Sequence, residues 1–391
     1  MLRNKTRKKT IIPKITCMTG MIAILLVIRM STNPPITINP IIEPREEDIV
    51  LINENTPNFP QFSVGPWVTD TNLSNANASF IGEAFSGTNM ADLSGYSVAG
   101  AGDVNNDGYD DILIGAPASC NGEIDLQGAG QTFLILGRPT TDWQMDLDLS
   151  AANASFIGED RSDNSGHSVA GAGDVNNDGF DDILIGAPGD DDGGNNAGQT
   201  YLILGRPTAN WQMDLDLSAA SASFIGEGSD PILGDHSGSS VAGAGDVNND
   251  GYDDILIGAS YNNESGTLAG QTYLILGRPT ANWQMDLDLS AADASFIGEL
   301  GGDHSGGSVA GAGDVNNDGY DDILIAAPGS GAVGQTYLIL GRPTANWQMD
   351  LDLSAASASF IGEYLGDCSG YSVAGAGDVN KDGYDDILIG A

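Results

Sequence analysis

Short apolar runs, each closed by Gly, Asn, Asp or Pro, recur along most of this chain. In one stretch they read SVAGAGDV (168–175), DDILIGAP (181–188), QTYLILG (199–205) and ASFIGE (222–227). The runs are rich in β-branched and aromatic residues and bounded by turn formers, so four strands are expected. The joining segment GRPTANWQMDLDLSAA (205–220) ends in alternating Asp and Leu, which also suits extended chain. No window combines a helical period with helix caps.

The pattern is repeated. GDVNNDGYDDILIGAP (102–117) returns as GDVNNDGFDDILIGAP, GDVNNDGYDDILIGAS, GDVNNDGYDDILIAAP and GDVNKDGYDDILIGA. The first Asp of each stretch falls at 103, 174, 246, 314 and 378, spacings of 71, 72, 68 and 64 residues. Four strands per unit, repeated radially, is the signature of a β-propeller blade. An open β-solenoid is the other reading, but its repeats are usually shorter. The last copy stops at Ala391 after two strands, and the first is preceded by two others, QFSVG (61–65) and ASFIGE (78–83). Together these make one blade, so the expected fold is all-β, a five-bladed propeller closed by N- and C-terminal strands. The alternative is a fragment of a larger ring.

The acidic stretches suggest metal chemistry. Asp103, Asn105 and Asp107 occupy alternate positions, followed by Gly108, Tyr109 and Asp111. Side-chain oxygens at positions 1, 3 and 5 converge when the chain curls tightly. Gly at 6 supplies the turn, the carbonyl at 7 points inward and the carboxylate at 9 completes the shell. Such hard oxygen donors suit Ca²⁺ better than zinc or copper. The set recurs as Asp174, Asn176, Asp178, Phe180 (carbonyl) and Asp182, then as Asp246, Asn248, Asp250, Tyr252 and Asp254. It recurs again as Asp314, Asn316, Asp318, Tyr320 and Asp322, and finally as Asp378, Asn380, Asp382, Tyr384 and Asp386. An EF-hand needs an acid at position 12 and a following helix, whereas Ile114, Ile185, Ile257, Ile325 and Ile389 stand there, inside apolar strands. A solvated Asn/Asp/Gly turn is the plainer reading, and five complete repetitions weigh against it. Calcium-dependent stability is therefore expected.

SGYSVAGAGDVNNDGYDDILIGAP (94–117) resembles the FG-GAP repeat of integrin α-subunit propellers and related surface proteins, over about residues 60–391. The resemblance implies a β-propeller with Ca²⁺ in the hairpin between the first two strands of a blade. Ser260 replaces the proline of the third copy and Ala326 the first glycine of the fourth. Integrin rings have seven blades, so five copies leave open a five-bladed ring or a fragment of a seven-bladed one.

Charge narrows the partners. Residues 1–45 hold eight of the fourteen Lys and Arg and one acid, leaving 53 acids against six bases in the remainder. Such a body is repelled by phosphate backbones, which argues against nucleic acid. The basic start leads into an uncharged run, Ile15 to Ile28, too short for an ordinary membrane span and suited to a secretory signal. Residues 1–30 are thus expected to be a cleaved signal peptide or an uncleaved signal-anchor, 31–59 a Pro-rich linker, and 60–391 the propeller. The protein is expected to be secreted or tethered at the cell surface. Cys17, Cys120 and Cys368 make no disulfide framework.

Three further groups of residues bear on function. His167, His236 and His304 read as solvated loop residues, and no serine or cysteine elbow offers a nucleophile, so no catalytic residue is expected. Trp143, Trp211, Trp283 and Trp347 either pack between blades, the favoured reading, or form an exposed binding ring. Asp110, Asp181, Asp253, Asp321 and Asp385, beside the last ligand, read as solvated. The expected function is adhesion or recognition of an extracellular protein or glycan. The alternatives are a structural surface-layer component and, less favoured, a propeller-type polysaccharide hydrolase or lyase.

Overall fold

The computed structural model describes residues 76–82, 92–120, 127–228 and 233–391. The expected signal segment, the linker and the 61–65 run lie outside them, as does Glu83. No described helix is long and apolar enough to cross a membrane. The described chain is all-β, interrupted only by single 3-10 turns.

The strand β1 (Phe80–Ile81) comes first. The first full repeat follows: β2 (Ser97–Gly102), β3 (Asp111–Ala116), β4 (Gln131–Ile135), the short β5 (Leu147–Asp148) and β6 (Ala154–Ile157). The second repeats it as β7 (Ser168–Gly173), β8 (Asp182–Ala187), β9 (Gln199–Ile203), β10 (Leu215–Asp216) and β11 (Ala222–Ile225). The third contains β12 (Ser237–Gly245), β13 (Asp254–Ala259), β14 (Gln271–Ile275), β15 (Leu287–Asp288) and β16 (Ala294–Ile297). The fourth contains β17 (Ser308–Gly313), β18 (Asp322–Ala327), β19 (Gln335–Ile339), β20 (Leu351–Asp352) and β21 (Ala358–Ile361). A last hairpin, β22 (Ser372–Gly377) and β23 (Asp386–Gly390), ends the chain.

Each full sheet is a four-stranded antiparallel meander such as β7-β8-β9-β11. The short strand of each joining segment crosses to the preceding blade and pairs in parallel with its outer strand, as β10 does with β6. Within the described repeats the expected strands are therefore present. The joining segment differs in detail: 3-10 turns at Thr208–Asn210 and Leu217–Ala219 bracket a two-residue strand.

Hydrophobic clusters lie between blades, which explains why β8 and β9 are apolar on both faces. Leu113, Leu134 and Phe156 of the first blade meet Val169, Ile183 and Tyr201 of the second. Equivalent clusters join the second to the third and the third to the fourth. A fully buried Ile, Leu or Phe contributes roughly 1.5–3 kcal/mol, so blade stacking is the main source of cohesion. The innermost strands read SVAGAG because they approach one another closely. A Cβ on Gly171 would lie 2.9 Å from the Gly100 carbonyl of the blade before.

The tryptophans take the favoured packing role. Trp211 stands edge-on to Phe156 of the preceding blade, centroids 6.1 Å apart, with the Arg206 guanidinium 4.9 Å over its ring. The third and fourth blades repeat this with Trp283 on Phe224 and Trp347 on Phe296. This is a β-propeller arrangement. Among the described residues the ring does not close: β23 has no third strand, and β1 pairs with β5. No disulfide joins Cys120 to Cys368.

Candidate metal centres

The acidic stretches form the tips of the hairpins β2–β3, β7–β8, β12–β13, β17–β18 and β22–β23. A register shift at the end of the first strand turns the chain into each loop, as between Gly171 and Gly173. Asn106 and Gly108 are left-handed, at φ 55° and 90°, and curl the first loop back on itself. The Asp107 N–H donates to Asp103 Oδ1 at 2.9 Å and to Asn105 Oδ1 at 3.0 Å. Gly108 N–H donates to Asp103 Oδ2 at 2.7 Å and Tyr109 N–H to Asp107 Oδ1 at 3.0 Å. The second loop repeats these bonds through Asp174, Asn176 and Asp178. The third does so through Asp246, Asn248 and Asp250.

In the fourth loop Asp318 and Gly319 bond to Asp314, and Tyr320 N–H to Asp318. In the fifth, Asp382 and Gly383 bond to Asp378, and Tyr384 N–H to Asp382. Lys381 adopts the left-handed φ of 61° that asparagine holds in the other loops. Its backbone follows the common path, with Asn380 turned to Asp386 at 3.4 Å.

The ninth-position carboxylates lie beneath the loops. Asp182 accepts from Val175 N–H at 2.9 Å and Gly205 N–H at 2.7 Å, so it ties the loop to the exit of β9. Asp111, Asp254 and Asp322 do the same. Asp386 keeps the bond from Val379 N–H. Burial pushes the carboxyls of Asp111, Asp182, Asp254 and Asp322 up, against the lowering effect of the two N–H donors and helped by the charges at positions 1 and 5. Asp182 and Asp254 rise to about 8, Asp111 and Asp322 to about 6.

The neighbouring aspartates are not solvated as expected. Asp181 Oδ2 accepts the Asp103 N–H of the preceding blade at 2.7 Å, while Asp181 N–H donates back to the Asp103 carbonyl at 3.3 Å. Asp253, Asp321 and Asp385 repeat this on Asp174, Asp246 and Asp314. Strand alternation gives the right direction, but the blade before stands where water was expected. Only Asp110, at the start of the stack, is exposed. A second clasp escaped sequence reasoning altogether. Ser155 Oγ donates to Asp214 Oδ1 at 3.0 Å and accepts Asp214 N–H at 2.8 Å across the junction. The one signal for it was the recurrence of Ser in ASFI and Asp in QMD.

Strand directions divide the molecule into two rims. The acidic hairpins and the Trp-bearing joining segments share one, where Arg206 N–H donates to the Val104 carbonyl at 2.9 Å. The loops after the second and fourth strands share the other, and these are the segments that vary most between copies. The histidines lie there, half-buried instead of solvated. Tyr96 Oη and His167 Nε2 are 3.2 Å apart, and Tyr261 bridges His236 and His304 at ring distances of 4.7 and 5.3 Å. Burial lowers His167 and His236.

The FG-GAP repeat family matches residues 94–134, 165–203, 237–275, 305–339 and 369–391, in register with the five acidic hairpins. The chain is an integrin-alpha-like FG-GAP repeat protein. It is 34% identical over 177 residues to integrin alpha-5 of Xenopus laevis, covering 45% of this chain and 15% of that one. It is 34% identical over 179 residues to integrin alpha-V of Gallus gallus, covering 45% and 16%. The match to integrin alpha-6 of Gallus gallus is longer, 29% over 292 residues, covering 72% and 24%. The FG-GAP chain thus spans less than a quarter of the length of these relatives.

Among the described residues no three carboxylate, imidazole or thiol groups gather tightly enough to make a metal centre by themselves. The FG-GAP loops nevertheless fit a hard cation. Every candidate donor atom is oxygen, and Asn316 Oδ1 is buried in the fourth loop without a hydrogen-bond partner. In the other complete loops the corresponding oxygen accepts a single backbone N–H, leaving a lone pair free.

Proposed function

We propose that this FG-GAP chain is an extracellular, calcium-holding propeller that recognises a protein or glycan, as an adhesion module would. The observation that carries the reading is the division of labour between rims. One rim repeats the same oxygen-rich hairpin in every copy, whereas the opposite rim carries differing loops with exposed or half-exposed Tyr96, Tyr261, Tyr364 and Tyr371. A repeated feature serves the scaffold; differing loops on a rigid support serve recognition. The likeness to integrin alpha subunits supports the same conclusion.

In each loop the side chains at positions 1, 3, 5 and 9 and the carbonyl at 7 would hold Ca²⁺, which neutralises carboxylates that otherwise repel. Asp103, Asn105, Asp107, Tyr109 and Asp111 are the first such set. Affinity is expected at about 10⁻⁴–10⁻³ M, the range of extracellular calcium modules. Secretion or surface tethering follows from the N-terminal signal reading. No catalytic group is assigned.

The test is an array of extracellular proteins and glycans probed with the purified chain, with calcium and with excess chelator. Calcium-dependent capture that is lost in Tyr261→Ala but kept in Trp143→Phe supports the reading. Turnover of a polysaccharide by pure protein, or capture insensitive to both calcium and the Tyr261 change, overturns it.

A further inference from the structure

Neighbouring acidic hairpins touch through the residues between their candidate ligands. Asn177, at the fourth position of the second loop, donates from Nδ2 to the Gly251 carbonyl of the third loop at 3.0 Å. Gly251 is the sixth position there, and the candidate carbonyl donor Tyr252 follows it directly. On its own loop Asn177 stands between the candidate ligands Asn176 and Asp178. The other copies repeat the approach. A Cβ on Gly179 would meet Asn106 Nδ2 at 3.7 Å, one on Gly319 would meet Asn249 Nδ2 at 3.7 Å, and one on Gly383 would meet Asn317 Nδ2 at 3.9 Å. All four asparagines hold the left-handed backbone, at φ 54° or 55°, a conformation that asparagine takes more readily than most residues.

The aspartate clasp lies beside this contact. Asp253 holds both the N–H and the carbonyl of Asp174. Asp174 is the first candidate ligand of the second loop, and Asp254, next to Asp253, is the ninth-position ligand of the third. The clasp is part-buried and fixes the register of the two hairpins. The Asn177 amide sits at the exposed tip, where a loop moves most freely as it closes.

We propose that these loops fill with calcium as a coupled ladder, in which Asn106, Asn177, Asn249 and Asn317 are the positioning residues that carry the closed form of one loop into the next. The inference rests on the reading of the loops as calcium-holding. An unfilled loop keeps its three carboxylates together against their mutual repulsion by backbone N–H bonds alone. Filling the second loop holds Asn176 and Asp178 in place, and with them the Asn177 amide that steadies the Gly251–Tyr252 peptide. The third loop then has less conformational freedom to lose when it binds, which is positive coupling.

Charge opposes this, because each calcium weakens the pull of the acidic body on the next. That opposition acts at long range and is screened over about 8 Å at physiological salt, whereas the asparagine bridge is a contact. Coupling of about fivefold per filled neighbour is expected, the low end for linked sites, because the bridge is exposed. Along a linear array of such loops this gives a Hill coefficient of roughly 1.5–2.

Equilibrium dialysis of the full chain against radiolabelled calcium, at about 0.15 M and about 0.5 M salt, tests this. The parent is expected to show that Hill coefficient, higher at the higher salt. Asn177→Gly keeps the left-handed backbone and every candidate ligand but removes the bridging amide. It should bind the same number of calcium ions with a lower Hill coefficient. The quadruple variant with Asn106→Gly, Asn177→Gly, Asn249→Gly and Asn317→Gly should bring the coefficient close to 1, again with the ion count unchanged. If the quadruple variant does not fold, the parent and Asn177→Gly decide the matter. Calcium bound with a parent Hill coefficient of 1 or less at both salts overturns the ladder and leaves the calcium reading standing. Absence of bound calcium overturns both. Cooperativity undiminished in Asn177→Gly and in the quadruple variant overturns the role of the asparagines.

Discussion

Asp253 Oδ2 accepts the backbone N–H of Asp174 at 2.9 Å, and the Asp253 N–H answers to the Asp174 carbonyl at 3.3 Å. The bond pair joins two acidic loops of like charge on adjacent blades. It works because the partner is the peptide group of Asp174 and not its carboxylate, which is turned into its own loop. Burial pushes the Asp253 carboxyl up, and the backbone bond from Asp174 opposes that rise.

Asp253→Ala is therefore expected to lower stability by about 1–3 kcal/mol, the cost of leaving a buried N–H without its charged acceptor. Asp110→Ala is the internal control, because that carboxylate meets no blade, and it is expected to change stability by no more than about 0.5 kcal/mol. Urea unfolding of the two variants, each compared with the parent at low protein concentration, measures the difference. Equal losses would refute the latch.

These two aspartates also show what could be read in the sequence. The blades were legible because each strand is short, apolar and closed by turn formers, and because five copies fix the unit. The hairpin loops were legible because a run of Asn, Asp and Gly separates two apolar strands in every copy. Asp253 was misread because its partner lies 79 residues away in another blade, and one sequence gives spacing within a hairpin but not what stacks against it. The same applies to His236 and His304, half-buried through contacts with Tyr261 that no local pattern announces. Gly173 was open to a general reading as a turn glycine, but its close approach to Asp253 appears only in three dimensions.

Trp283 supplies a second test of the junction. Its ring is 9% exposed, edge-on to Phe224 at 6.1 Å, with the Arg278 guanidinium 5.0 Å from its centroid. Trp283→Ala is expected to cost about 3–5 kcal/mol, as for large aromatic truncations in packed cores. Trp283→Phe should retain more than half of that, since it keeps the edge-on contact and weakens only the cation–π and area terms. Thermal melts of both variants rank them. A Trp283→Ala protein as stable as the parent would remove the tryptophan from the structural core.

Calcium should act through the loops. Each complete loop places three carboxylates at a tight turn, so adding Ca²⁺ at millimolar level is expected to raise the melting temperature and excess chelator to lower it. Asp178→Asn removes one of the three charges in the second loop while preserving shape. It is expected to weaken calcium binding at that loop about tenfold, roughly 1.4 kcal/mol. Calorimetric titration should show one site of the set weakened by that factor. Identical melts with calcium and with chelator would exclude a metal role for all five loops.

Asp163 gives a pH test away from the proposed metal loops. It is 3% exposed on the opposite rim, accepts the Asp160 N–H at 2.6 Å, and lies near Asp190, also 3% exposed. Burial, reinforced by the Asp190 charge, raises the Asp163 carboxyl from 3.8 to about 7. A folded-state value above the unfolded one means that the folded protein holds the proton longer than the unfolded chain does. Asp163 therefore costs nothing below about pH 4, and its penalty grows until it is complete above about pH 7. The ceiling for a shift of this size is about 4 kcal/mol, and sharing of charge with Asp190 reduces it, so about 1–3 kcal/mol is expected. Asp163→Asn keeps an oxygen for the Asp160 N–H and carries no charge. It should match the parent at pH 4 and exceed it in stability at pH 8, in chelator-treated and calcium-loaded protein alike. A gain equal at both pH values would mean that packing, and not titration, sets the effect, and a loss at pH 8 would mean that the ionised form is held by a cation.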